Sequence, residues 1–143
     1  MKSEGTAIPA IVEVIRKGDK AELYARENIE LIEKMTDSGD IENLYRWDEY
    51  IITVKWRDNL VSQISANKSE WVSMIKECCS RELASKIREK RDKLLHDTDW
   101  IMYTDSPVDS ETKAKYAEYR QALRDIPQQD GFPFNVVYPE VKK

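Results

Sequence analysis

The stretch Ser69–His96, SEWVSMIKECCSRELASKIREKRDKLLH, decides the fold because it is the longest part of the chain with a continuous helical pattern. Its apolar residues fall near one face of a helix: Trp71, Ile75, Cys79, Leu83, Ile87 and Leu94. Residues spaced by three, four or seven positions share a helix face, and Ser69 is a suitable N-cap. The stretch therefore predicts one long helix that ends near His96.

Composition favours long, solvated helices. The length of 143 residues allows one domain, or one domain with an interaction arm. Charged residues make up 35% of the chain, against about 25% in a typical globular domain. Four glycines and five prolines leave few positions for tight turns. This balance argues against a β-sandwich, a barrel or a disulfide scaffold.

The charge distribution argues against nucleic acid and membrane as partners. The net charge is −4, whereas nucleic-acid-binding proteins usually carry a basic face. The most basic stretch, Lys86–Lys93, is interrupted by Glu89 and Asp92. No run of about 18 apolar residues is present to span a bilayer. We therefore expect no binding to nucleic acid and no membrane segment.

No pattern of titratable residues predicts an enzyme, a metal site or a cofactor. Cys78 and Cys79 are adjacent, so their side chains would point about 100° apart on a helix. His96 is the single histidine, which makes a zinc site improbable on spacing grounds, and no candidate nucleophile lies beside it. The glycines are too far apart for a phosphate-binding loop. We expect a non-enzymatic protein without a cofactor.

Residues 1–66 are predicted to form an N-terminal helical region of unknown type. The first apolar stripe has helical spacing: Ile8, Ile11, Val12 and Ile15. Gly18 would end that helix, and Asp19–Glu22 resembles a capping box for a second helix running to Met35. Gly18-Asp19 recurs as Gly39-Asp40, which favours a further capped helix from Asp40.

The segment 50–56 is ambiguous between strand and helix. Its apolar and polar residues alternate as in a strand. Residues from Leu44 to Val61 also fit a heptad seam, and the absence of glycine and proline between residues 40 and 106 favours helix. Joined to the long helix through Ser65–Lys68, this segment predicts an antiparallel helical hairpin. The heptad-like spacing leaves a homo-oligomer and a monomeric bundle both open.

The C-terminal part, within residues 67–143, is predicted to contain a capped helix followed by an arm. Asp109 or Ser110 can cap the helix, and Pro127 ends it. Its stripe is Tyr116, Tyr119, Leu123 and Ile126. The segment 131–139, GFPFNVVYP, is rich in proline and aromatic residues and favours an extended path. The expected fold is thus mainly α, a helical hairpin or small bundle with an extended C-terminal arm.

Several ordered motifs in this part resemble those of the phage tail assembly chaperone family. They are RDKLL at 91–95, TDW at 98–100, DSP at 105–107, YRQALRDIP at 119–127 and GFP at 131–133. The resemblance covers about residues 86–139. One departure is Tyr138-Pro139, where the family more often has Trp-Pro.

The resemblance implies a bacteriophage protein that assists tail or tail-fibre assembly in the host cytoplasm by binding a tail or tail-fibre protein. The alternative is a permanent structural component of the tail or baseplate in the virion. The candidate partner-binding or motif residues are Trp100, Tyr119, Arg120, Arg124, Asp125, Pro127, Phe132, Pro133, Phe134 and Tyr138.

Several of these candidates leave alternatives open. Trp100 is either a binding hot spot or an apolar plug where the long helix meets the capped helix. Arg120, Arg124 and Asp125 either face a partner or pair on the helix surface. Asp92 and Asp99 are then expected to pair with the arginines and fix the turn between the helices. The apolar arm either folds back on its own helix or docks on another protein.

Overall fold

The structure is a computed structural model that describes residues 1–141. The chain divides into two compact units, Met1–Cys79 and a second unit that begins at Ser80. The boundary falls inside one long helix, and the expected domain division at residues 66 and 67 stays a prediction. Among residues 1–141, no helix is both long and apolar enough to cross a membrane.

The first unit is built on a four-stranded antiparallel sheet with strand order β1-β4-β3-β2. The strands are β1 (Lys2–Gly5), β2 (Val12–Lys17), β3 (Lys20–Met35) and β4 (Ile41–Lys55). The long β3–β4 hairpin forms the centre of the sheet. β2 pairs with the start of β3, and β1 pairs with the middle of β4.

The mainly helical fold expected for this region is therefore wrong, and so are the helix preferred for residues 50–56 and the helical hairpin. Gly18-Asp19 is the two-residue loop between β2 and β3, and Gly18 has a φ of 66°. Gly39, with a φ of 89°, lies in the loop between β3 and β4. The recurring Gly-Asp pair marks two hairpin turns, since glycine at positive φ suits such turns.

One face of the sheet packs against helices. Alternate residues of β3, Ala21, Leu23 and Ala25, are fully buried. They form the core with residues of β4, of α1 (Leu60–Ala66) and of the start of α2 (Lys68–Asp97): Tyr50, Leu60, Ile64, Val72 and Ile75. The period-two alternation of buried residues along β3 is that of a strand with one face in the core.

The opposite face of the sheet carries a buried ion pair. Arg26 of β3 and Glu49 of β4 are cross-strand neighbours, and their side chains lie 2.7 Å apart. Arg26 also donates to Glu13 at 2.8 Å and to the carbonyl of Ala10 at 3.1 Å. The Trp47 indole donates to Glu49 at 3.2 Å. This network ties the chain between β1 and β2 to the centre of the sheet.

The second unit contains the C-terminal end of α2, a 3-10 helix (Asp99–Met102), α3 (Ser110–Arg124) and a short 3-10 turn (Ile126–Gln128). The predicted long helix and the predicted cap are confirmed, because α2 spans Lys68–Asp97 and Asp109 is the N-cap of α3. Ile87, Leu123 and Ile126 form the buried core of this unit.

Candidate protein-binding site

The corner between α2 and α3 is fixed by one buried arginine. Arg120, only 9% exposed, donates through Nη1 to the Leu95 carbonyl at 2.5 Å and to Thr98 Oγ1 at 2.7 Å. Its Nη2 donates to Asp99 Oδ1 at 2.6 Å. The guanidinium thus satisfies a carbonyl at the end of α2, where helices leave such groups unpaired.

The predicted pairing of Asp99 with an arginine is therefore confirmed for Arg120. Asp92 instead pairs with its neighbour Arg91 at 2.7 Å. Arg124 lies exposed in the last turn of α3, and Gln121 donates to Asp125 at 3.0 Å. The arginine and aspartate residues of the YRQALRDIP motif therefore have different surroundings and do not form one cluster.

The 3-10 helix turns one apolar residue inward and others outward. Ile101 is 5% exposed and lies in the 3-10 helix, which packs against α3. Three residues around it are exposed: Trp100 at 52%, Met102 at 41% and Tyr103 at 60%. We name Trp100, Met102 and Tyr103 the turn patch. The interpretation of Trp100 as a buried plug between the helices is wrong, because Trp100 is half exposed and Ile101 is the buried residue of this 3-10 helix.

The segment that follows the turn patch is held at two points. Lys113 of α3 donates through Nζ to the carbonyls of Tyr103 and Ser106, at 3.1 and 3.4 Å. Asp109 accepts from the backbone N–H of Thr112 at 2.9 Å and from its hydroxyl at 2.7 Å. These bonds to Thr112, the backbone one first, lower the pKa of Asp109. The connection is therefore anchored at both ends, which gives the patch a defined backbone.

The arm folds back on its own unit along much of its length. Phe132, Val136 and Tyr138 pack against the core around Leu123. The Arg88 guanidinium lies 5.5 Å from the centre of the Phe132 ring. Lys90 Nζ lies 4.0 Å from the centre of the Tyr138 ring. Both distances are in the range of cation–π contacts, so α2 holds the arm by charge as well as by apolar contact.

A single glutamine side chain fixes the course of the arm. Gln129 Nε2 donates to the carbonyl of Val137 at 2.8 Å, and the N–H of Val137 donates to Gln129 Oε1 at 2.8 Å. The side-chain amide of Gln129 thus both donates to and accepts from the backbone of Val137, as a neighbouring strand would. Phe134 and Val137 remain 45% and 71% exposed. We name these two residues the arm patch.

The comparison with family models gives one match. Residues 84–141 match the family of the phage tail assembly chaperone protein. The resemblance noted from the sequence motifs is therefore confirmed, and it links this segment to the assembly of phage tails. No match is found among curated proteins, and none among solved structures.

The segment that matches the family model, residues 84–141, includes both the turn patch and the arm patch, and we name it the matched segment. The remaining predicted site residues in it are structural neighbours of its core. Tyr119 is partly buried and stands edge-on to Tyr116, with ring centres 6.2 Å apart. Burial raises the pKa of Tyr119. Pro133 is buried, and Pro127 lies in the turn after α3.

Sequence reasoning missed Met102 and Tyr103 as surface residues of the matched segment. The available signal was their position, since large apolar residues in a short polar connection have few helical neighbours to pack against. Within residues 1–141, no group of three or more His, Cys, Asp or Glu side chains is arranged to hold a metal ion.

Proposed function

We propose that this chain is a non-enzymatic bacteriophage protein that assists tail assembly by binding a tail protein in the host cytoplasm. The turn patch is the primary contact. The observation that carries this proposal is the juxtaposition of buried Ile101 with exposed Trp100, Met102 and Tyr103 inside the matched segment. Aromatic residues and methionine are enriched in protein interfaces.

The chemistry of the turn patch fits an apolar client surface. A tail protein that has not yet assembled exposes the apolar surfaces through which its copies later contact one another. Tryptophan and tyrosine provide large contact areas and are the residues most often found at binding hot spots. An isolated apolar patch on a fixed corner can cover such a surface without a deep pocket.

Only part of the arm is available to contact the tail protein. A freely extended arm is not the arrangement found, because Phe132, Val136 and Tyr138 pack on their own unit. The arm patch, Phe134 and Val137, is the part that remains accessible. We therefore assign the arm patch a secondary contact with the same tail protein.

The test is a pull-down from cells infected with the phage, with the full chain as bait and mass spectrometry as the readout. A tail protein is expected with the unchanged chain and is expected to be lost with Trp100→Ala/Tyr103→Ala. The matched control is Ile8→Ala/Ile11→Ala, which removes two exposed apolar residues of the first unit, 66% and 54% exposed. Undiminished recovery by the Trp100/Tyr103 variant would rule out the turn patch as the contact.

A second measurement separates assistance in assembly from a permanent place in the virion. A chaperone that leaves after assembly is absent from purified phage particles, whereas a tail component is present at a fixed copy number. Quantitative mass spectrometry of purified particles distinguishes the two. Detection at a constant ratio to the tail proteins would replace the chaperone proposal by the structural one.

A further inference from the structure

We propose that a second copy of this chain pairs with the open edge of β3, so that two sheets join into one. β2 covers β3 only along Lys20–Ala25, and one further bond links Arg26 N to the Ile11 carbonyl. Along 28–35, none of the described strands pairs with this edge, because β4 lies on the other side. Unpaired edge groups of this kind form a template for another strand. The inference concerns the first unit and does not depend on the proposed function.

The outer half of the hairpin needs such a neighbour. Beyond the pairing of β1 with Tyr45–Asp48, no further strand among the described residues flanks β3 and β4. Its apolar side chains are exposed: Leu31 at 59%, Met35 at 73% and Ile41 at 66%. A two-stranded hairpin is marginally stable in water, whereas three or more strands with an apolar face are stable. Pairing of two copies converts the two-stranded ribbon into a four-stranded one.

Charge complementarity selects a second copy as the occupant. When a twofold axis normal to the sheet relates two identical antiparallel strands, one residue lies at the axis. That residue is opposite the same residue of the second copy, and the residues on either side of it pair accordingly. An axis at Glu30, Glu33 or Lys34 places like charges opposite each other, which is unfavourable. An axis at Leu31 places Glu30 opposite Ile32 and forms no pair of opposite charges. An axis at Ile32 places Glu30 opposite Lys34 of the second copy.

The register centred on Ile32 is therefore self-complementary. Its two Ile32 side chains meet at the axis, and an ion pair between Glu30 and Lys34 forms on each side. On the other face of the sheet, Leu31 lies opposite Glu33 of the second copy, and the two Leu31 side chains are diagonal neighbours, a distance over which large side chains still touch. Lys34 Nζ now lies 3.2 Å from Glu4. Its side chain is 61% exposed, so it can turn toward the edge.

The experiment uses sedimentation velocity of the full chain at several protein concentrations. The unchanged chain is expected to dimerise. Glu30→Lys alone and Lys34→Glu alone each create repulsion at both ion pairs, and each is expected to raise the dimer dissociation constant by at least about tenfold. A one-to-one mixture of these two variants restores opposite charges at both pairs and is expected to form a heterodimer. This recovery shows that each variant is folded.

The matched control is Lys20→Glu, the same charge change on the part of β3 that β2 already covers. It is expected to leave the dimer unchanged. If the chain without substitutions sediments as a monomer at all concentrations, the proposal is overturned. Dimers that persist in both single variants, a mixture that stays monomeric, or an equal loss with Lys20→Glu would overturn it as well.

Discussion

Arg120 of α3 and Asp99 of the 3-10 helix form an ion pair at 2.6 Å, beside the carbonyl of Leu95 that the same guanidinium binds. The pair joins the helix that follows the corner to the end of the helix that precedes it. The arginine side chain is 10% exposed and the aspartate side chain 43%. Burial is therefore unequal: removing the arginine leaves an aspartate that water can reach, so the cost of removing Arg120 comes from the lost hydrogen bonds of its guanidinium.

Replacing Arg120 by methionine is expected to lower the free energy of unfolding of the second unit by about 2 kcal/mol. The change removes the hydrogen bonds to Thr98 Oγ1 and to Asp99. It also removes one donor to the Leu95 carbonyl, which still accepts from Thr98. Arg120→Lys should recover only part of this, because an ammonium group lacks the planar fork that reaches three acceptors. Urea unfolding followed by circular dichroism measures both variants.

Arg124→Met, at an exposed position one turn further along α3, is the control, with an expected effect within about 0.5 kcal/mol. Equal effects at residues 120 and 124 would contradict the assignment of Arg120 as the anchor of the corner.

Replacement by alanine is expected to cost more stability at Ile101 than at Trp100. Ile101→Ala removes a buried side chain and should lower the free energy of unfolding by about 2–4 kcal/mol. Trp100→Ala removes a side chain that is 52% exposed and should cost less than about 1.5 kcal/mol. Thermal unfolding of both variants tests this order, and a larger loss for Trp100→Ala would return the tryptophan to the role of plug.

Glu49 is expected to make the first unit sensitive to acid. Burial acts to raise the pKa of Glu49, but hydrogen bonds from Arg26 and Trp47 outweigh it, so the pKa lies below its ordinary value of 4.5. A lowered folded-state pKa stabilises the fold above the unfolded-state value. That contribution is lost as the pH falls through the folded-state value.

Glu49→Gln should therefore destabilise the first unit by about 3 kcal/mol at pH 7, and the difference from the unchanged chain should shrink toward pH 3. Urea unfolding at both pH values provides the measurement. Glu33→Gln, at an exposed position of β3, serves as the control. A difference that stays constant with pH would show that the ionised carboxylate is not the stabilising form.

Gln129→Ala is expected to loosen the arm without unfolding α2 or α3. The variant removes both hydrogen bonds to the backbone of Val137, so the amide proton of Val137 should exchange about tenfold faster, the equivalent of one net hydrogen bond. Hydrogen exchange measured by NMR reports this proton directly. Gln128→Ala, at an exposed neighbouring position, should leave the exchange rate unchanged, and protection that survives in Gln129→Ala would mean that other contacts hold Val137.

The helical parts of the fold could be predicted because their signals are local. The Ser69–His96 stripe and the Asp109 cap each depend on residues a few positions apart. The Arg120–Asp99 pair could also be predicted from the sequence, since both residues flank the same corner. The burial of Ile101 could not be predicted, because the choice between adjacent residues depends on how the 3-10 helix packs against α3.

The sheet was missed because its strands contain residues that also suit helices. β3 is rich in glutamate, lysine, leucine and alanine, and these are good helix formers. The alternation of buried Ala21, Leu23 and Ala25 with Glu22 and Tyr24 was the stronger signal, and Gly18-Asp19 between two such segments is a hairpin loop. The pairing of β3 with β4 then overrode the intrinsic preference of the residues.

Adjacent placement of Ile101 and Trp100 has a mechanical consequence. Because Ile101 is buried, the Trp100 side chain next to it projects from a backbone that does not have to reorganise for the tail-protein contact proposed above. Little conformational freedom would then be lost in forming that contact. In the proposed complex, a displacement of the Trp100 side chain would also displace Ile101, so release of the tail protein and loosening of the corner are expected to be coupled.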